Sequence, residues 1–153
     1  MSQTESPDLS KLGNTLEFMQ ALWALSHGLE TRSKAMLADF GVTGPQRLAI
    51  RILGRFPGTS ASELAELLSV HPSTVTGIVR RLEEKGLLKR KADSNDGRRS
   101  HLILTPAGKK MDQPRAGTVE AVVKKVLSRY SAAEVAKAQA LLEELAKALV
   151  DAK

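Results

Sequence analysis

Residues Ser60–Gly108 read SASELAELLSVHPSTVTGIVRRLEEKGLLKRKADSNDGRRSHLILTPAG, and this stretch decides the fold. Ser60 followed by Glu63 is a capping-box signature, and Leu64, Leu67 and Leu68 give the short helix behind it an apolar side. Ser69-Val70-His71 reads as a turn. Pro72 suits the first position of the next helix, where its missing N–H costs no bond. In that helix Val75, Ile78, Val79 and Leu82 share one side. Ser73, Gly77 and Arg80 lie opposite, flanked by Thr74, Thr76 and Arg81, and Lys85-Gly86 closes it. Leu87–Ala92 and Ser100–Leu104 then pair as a hairpin across the turn-rich run Asp93-Ser94-Asn95-Asp96-Gly97. The strand alternation is imperfect, so the hairpin rests partly on the turn. Helix, turn, helix, strand, basic turn, strand is the order of a helix-turn-helix with a wing. Five cations lie between Lys89 and Arg99. A helix of major-groove size with a polar, cationic outer side, next to a basic ribbon, is a surface suited to reading DNA.

Upstream, Thr43 and Gln46 form another capping signature before a helix that is expected to turn Leu48, Ala49, Ile52, Leu53 and Phe56 inward. Arg47, Arg51 and Arg55 recur every four residues along another face. A charge row is first of all a solvated face, with phosphate contact or an anionic ligand as the other possibilities. Before it, Leu9, Leu12, Leu16, Met19, Trp23, Leu29 and Met36 keep helical spacing, widened by Leu22 and Leu25. Gly13 and Gly28 weaken that helix, Gly28 being a point where it can break, and Phe40-Gly41 ends it. Downstream, Thr105-Pro106 starts a further helix and Pro114 should kink or restart it. Val119, Val122, Val123, Val126 and Leu127 resume the period, and Ser131 with Glu134 caps a last helix. Its Val135, Ala138, Leu142, Leu145 and Leu149 make a two-heptad seam.

The expected fold is therefore mainly α with a small β-wing: a winged helix-turn-helix flanked by N- and C-terminal dimerisation helices. Residues 1–8 should be a disordered N-terminus, 9–41 an N-terminal dimerisation helix, 43–104 the DNA-binding domain and 105–153 the C-terminal dimerisation helices. Apolar seams at both ends of one chain imply packing against a second copy.

Composition narrows the function. The 153 residues carry a formal charge of +6 and only 3% aromatics, so the core must be aliphatic. From His71 to His101 there are eight Lys and Arg against four Asp and Glu, so most of the excess charge sits in this stretch and favours a polyanion. With no cysteine there are no disulfides, thiol sensors, cysteine nucleophiles or zinc–thiolate sites. No apolar run is long enough to span a membrane and the polar N-terminus is unlike a signal peptide, so a cytoplasmic protein without membrane contact is expected.

Thr43-Gly-Pro-Gln46, Glu63-Leu-Ala65, Ser73-Thr-Val-Thr76, Arg81-Leu-Glu-Glu-Lys-Gly-Leu87, Arg90, Asp96-x-Arg98 and Leu104-Thr-Pro-Ala-Gly108 together resemble the MarR family of bacterial transcriptional regulators. The order and spacing of these pieces carry the resemblance. It implies a homodimer with interlocked terminal helices, each winged lobe on half of a palindromic operator, released by a small ligand held between lobe and dimer helices. The chain departs from the family at Gly77 and Gly97, where many members carry arginine, so base contacts of an arginine at 77 do not transfer, and Arg99 is the candidate substitute for the wing cation lost at 97.

The candidate DNA-binding residues are Ser73, Thr74, Thr76, Arg80, Arg81, Asp96, Arg98 and Arg99. The first three sit where a recognition helix meets base edges, and Arg80 can reach guanine or a phosphate. Arg98 suits the minor groove, with Asp96 positioned to hold its guanidinium. An ordinary solvated face is the alternative for the helix residues, and a surface salt bridge in a polar turn is the alternative for the wing residues. Met19, Trp23, His27 and Arg51 are the ligand candidates, beside Met36, for a small organic effector such as an aromatic anion; for Trp23 the alternative is core or dimer interface. His27, His71 and His101 are scattered, so no metal or other cofactor is expected, and His71 reads as a turn residue. An enzyme is not expected, because no constellation for nucleophilic or acid–base work is present. The competing functions are a ligand-independent architectural DNA binder and a winged-helix protein–protein module.

Overall fold

The computed structural model describes residues 8–96 and 100–152. The chain forms two compact units, one ending at Gln113 and the other starting at Pro114. In the first, a 3-10 turn at Leu9–Leu12 precedes α1 (Asn14–Phe40), α2 (Gly44–Arg55), α3 (Ala61–Leu68), α4 (Pro72–Glu84), β1 (Leu88–Ala92), β2 (Ser100–Leu104) and α5 (Pro106–Met111). The second holds α6 (Val119–Leu127) and α7 (Ala132–Asp151).

The helix does not break at Gly28: α1 runs through it, and the interruption falls at Gly13, whose φ of +79° is a conformation that glycine accepts. Residues 1–7 of the proposed disordered tail lie outside the described residues. Asp8 caps the 3-10 turn by accepting from the Ser10 N–H at 3.1 Å. Thr43/Gln46, Ser60/Glu63 and Ser131/Glu134 all close as reciprocal capping boxes. Each satisfies donors that a helix start otherwise leaves unpaired. Around Pro114 the chain restarts a helix instead of kinking one. α5 has already ended at Met111, and α6 starts afresh behind a Thr118 cap that accepts from the Ala121 N–H at 3.3 Å. The compact division falls after α5, between Gln113 and Pro114.

Val42, Ala49, Ile50, Leu53, Leu64, Ala65, Val75, Ile78, Val79, Leu82, Leu87, Leu88, Leu102 and Leu104 make the core of the winged lobe. Burying each large aliphatic side chain contributes about 1.5–3 kcal/mol. On α2 the inward residues are Ala49, Ile50 and Leu53. Leu48 and Phe56 are exposed and Ile52 is half-buried, so the expected face is rotated toward Ile50. On α3, Leu67 is exposed and Ala65 takes an inner place.

The strands pair antiparallel with Leu88 opposite Leu104 and Ala92 opposite Ser100. The other edge of β2 is covered by the loop between α2 and α3, since Leu102 N–H donates to the Thr59 carbonyl at 2.9 Å and Gly58 N–H donates to the Leu102 carbonyl at 3.1 Å. Gly108 lets α5 approach the ribbon base, because a Cβ there would lie 1.9 Å from the Leu87 carbonyl oxygen.

α1 buries Met36, whereas Leu16, Met19, Trp23, Leu25 and Leu29 are exposed in the single chain. In the second unit Val122, Val123, Val126 and Leu127 of α6 and Leu141, Leu142 and Leu149 of α7 are exposed as well. Exposed apolar faces of this kind mark surfaces that a partner covers.

Candidate nucleic-acid interface

α4 is built to stand with one side in the core and the other in solvent. Val75, Ile78, Val79 and Leu82 are all buried, and Ser73, Thr74, Thr76, Arg80 and Arg81 are all exposed. The five candidates on this helix therefore share one open surface. Its start is capped by His71, whose Nδ1 accepts the Ser73 N–H at 3.2 Å and lies 2.8 Å from Ser73 Oγ. His71 is thus a helix cap, a role its position before Pro72 allowed but its residue type did not advertise. Thr76 Oγ1 donates to the Pro72 carbonyl at 3.1 Å. At Gly77 an added Cβ would meet nothing within 4 Å, so the space above this turn is open to an incoming backbone. Arg80 Nε stands 3.8 Å from Glu84 Oε1, with the two side chains 67% and 63% exposed. A loose surface pair of this kind contributes about 0–1 kcal/mol and leaves the guanidinium able to exchange partners.

Three side chains outside the expected set, Arg90, Lys85 and His101, fix the helix and ribbon in place. Arg90 Nε of β1 donates to Glu83 Oε1 of α4 at 3.0 Å. Lys85 Nζ donates to the Gly41 carbonyl, tying the end of α4 to the end of α1. His101 of β2 sits between two acceptors, Asp93 Oδ2 at 3.2 Å from Nε2 and the Gly58 carbonyl at 2.7 Å from Nδ1. Asp93 also accepts the Asn95 N–H at 2.9 Å. That N–H first, and His101 after it, hold the Asp93 carboxyl below its ordinary pKa against the opposing cost of desolvation. Sequence spacing shows none of the Arg90, Lys85 and His101 contacts, because each joins residues of different elements or loops. Asp96 is exposed at the ribbon tip. Arg98 and Arg99, and with them the pairing of Asp96 with Arg98, lie outside the described residues.

The arginine row on α2 is not a solvated face. Arg47 is only 1% exposed, and its guanidinium donates to the Met111 carbonyl and, at 2.8 Å, to the Gln113 carbonyl. Arg51 is half-buried and pairs with the Asp112 carboxylate at 2.8 Å. Only Arg55 keeps the expected exposure. Cations at the end of a helix meet carbonyls that have no helical partner, and α5 supplies them. Gly54 completes the fit, since a Cβ there would lie 2.2 Å from Asp112 Oδ2. As a ligand candidate Arg51 is therefore already engaged. Met19, Trp23 and His27 lie on exposed parts of α1, Trp23 at 66%, whereas Met36 is fully buried and takes no place beside them. A groove of about 570 Å³ lies elsewhere, between Phe56 and Leu67. Among the described residues no three His, Asp or Glu side chains gather as metal ligands, and no helix is long and apolar enough to cross a membrane.

The MarR family model matches residues 42–100, the segment that contains α2, α3, α4 and the start of the ribbon. The chain is also 31% identical over 124 residues to the HTH-type transcriptional repressor Rv2887 of Mycobacterium tuberculosis, an alignment covering 81% of this chain and 89% of that protein. This chain belongs to the MarR family. Like its relatives in that family it is a transcriptional regulator. Solved structures agree with the MarR fold. The Staphylococcus aureus MepR–DNA complex superposes with a TM-score of 0.73 over 86% of this chain and 97% of that one, at 24% identity, and shows the fold alone. The M. tuberculosis MarR family protein Rv2887 in complex with salicylic acid superposes with a TM-score of 0.54 at 29% identity, over 93% and 98% of the two chains.

Proposed function

We propose that this protein is a repressor that binds a palindromic operator as a homodimer and is released by a small organic anion. The observation that carries this is the two-sided character of α4: an aliphatic side sunk in the core and an exposed side of hydroxyls and arginines beside a cationic ribbon. Ser73, Thr74 and Thr76 meet base edges, Arg80 meets a guanine edge or a phosphate, and Arg81 meets the backbone flank. Asp96, Arg98 and Arg99 belong to the wing, with Arg98 in the minor groove. A second copy covers the exposed apolar faces of α1, α6 and α7. The repressor name of the M. tuberculosis relative and the salicylic acid in its solved structure support repression and an aromatic-anion effector. Met19, Trp23 and His27 are the proposed effector residues.

The test is selection of bound duplexes from random DNA, followed by titration of salicylate into the complex. An enriched inverted repeat, released by salicylate in a way that Trp23→Ala blunts, supports the proposal. No enriched duplex would remove the DNA reading. Binding that no aromatic acid weakens would leave a ligand-independent binder in its place.

A further inference from the structure

We infer that His71 sets what kind of base edge α4 can read, by holding the hydroxyl proton of Ser73. This rests on the proposal that the outer side of α4 enters the groove. A serine or threonine hydroxyl can ordinarily donate or accept, and so discriminates poorly between base edges. In α4 that freedom is removed twice. The Ser73 N–H can only donate, so His71 Nδ1, which receives it at 3.2 Å, is the acceptor. The Ser73 hydroxyl, 2.8 Å from the same nitrogen, must then donate to it. One turn on, the Thr76 hydroxyl faces the Pro72 carbonyl at 3.1 Å, which can only accept, so Thr76 donates there. Both hydroxyls spend their single proton within the helix start and present only lone pairs outward.

Lone pairs cannot bond phosphate oxygens, guanine N7 and O6, or thymine O4, which are themselves acceptors. They can bond the exocyclic amino groups of adenine and cytosine. Ser73 and Thr76 are thereby assigned to base edges that carry an amino group, not to the backbone. Of the two, Ser73 depends on a side chain for its polarity, and His71 is its positioning residue. Replacing His71 frees the proton and makes Ser73 ambivalent again, whereas Thr76 keeps its polarity because a main-chain carbonyl holds it.

The experiment uses the selected operator with each adenine replaced in turn by purine and each cytosine by its 4-deamino analogue, so that one amino group is lost at a time. The wild-type protein should lose about three- to tenfold in affinity at two symmetric positions, the scale of one hydrogen bond. At the first, Ser73→Ala should abolish the sensitivity. His71→Ala should abolish it too and admit guanine or thymine, while His71→Asn, whose Oδ1 is again an acceptor, should restore it. At the second, sensitivity should vanish in Thr76→Ala and persist in His71→Ala, which shows that the helix start is intact in that variant. In the DNA-free protein, nitrogen NMR should find His71 as the Nε2–H tautomer. His71→Ala that discriminates like wild type, or a His71 in the Nδ1–H form, overturns the inference while leaving DNA binding standing. Failure of the wild type to bind any duplex overturns the groove reading and this inference together.

Discussion

At Gly77 two effects of one methyl group should separate. Glycine inside a helix costs about 0.5–1 kcal/mol relative to alanine, and a Cβ here meets no atom within 4 Å. Gly77→Ala should therefore raise the unfolding free energy by about that amount and, by holding α4 off the duplex, weaken operator binding. Thermal melts and binding isotherms of the same preparation read both; a variant that is more stable and binds equally well would show that no close approach occurs at this turn. Gly108 is the opposite case. A Cβ there collides with the Leu87 carbonyl, a main-chain atom that cannot swing aside. Gly108→Ala should cost about 1–3 kcal/mol in urea unfolding, and a neutral result would mean that α5 and the ribbon base move apart freely. The residue scale is also where sequence reading reached least far. The burial of Arg47 was not legible, because a cation every four residues looks the same whether it faces water or the carbonyls at the end of α5. His71 was visible as a residue before proline, but the turn of its Nδ1 back onto Ser73 is set by the folded loop.

Elements were more legible than contacts. The caps at Thr43, Ser60, Thr105 and Ser131 mark helix starts because each oxygen bonds a nearby N–H, a local event that needs no tertiary information. The buried side of α4 followed from spacing for the same reason. The faces of α2 and α3 did not follow so cleanly: Leu48, Phe56 and Leu67 are as apolar as their buried neighbours, and hydrophobicity alone cannot tell core from a surface awaiting a partner. The ribbon has a pH signature. Asp93 has its carboxyl held below the ordinary value, so its contribution is present above that value and is lost as pH falls through the lowered one. Relative to Asp93→Asn, the wild-type protein should keep its advantage at neutral pH and lose it progressively below about pH 4. Urea midpoints of the two proteins across pH 3–7 measure this; a constant difference over that range would mean that the Asn95 and His101 contacts contribute nothing.

For the molecule as a whole, apolar faces left open on α1, α6 and α7 call for a second copy. Removing residues 131–153 takes away α7 with its exposed Leu141, Leu142 and Leu149. Sedimentation of the truncated chain should show loss of the dimer or aggregation, and a soluble, dimeric, operator-binding truncation would place the interface elsewhere. The central claim is that a dimer of this chain reads DNA with the outer side of α4. Its most direct test is the affinity of wild type and Arg80→Ala for the selected operator across a series of salt concentrations. The account predicts one dimer on an inverted repeat with half-site centres ~10 bp apart, affinity that falls steeply with salt, and a loss of about 1–3 kcal/mol in Arg80→Ala. Salt-independent binding, or an Arg80→Ala protein that matches wild type at every salt concentration, would contradict it.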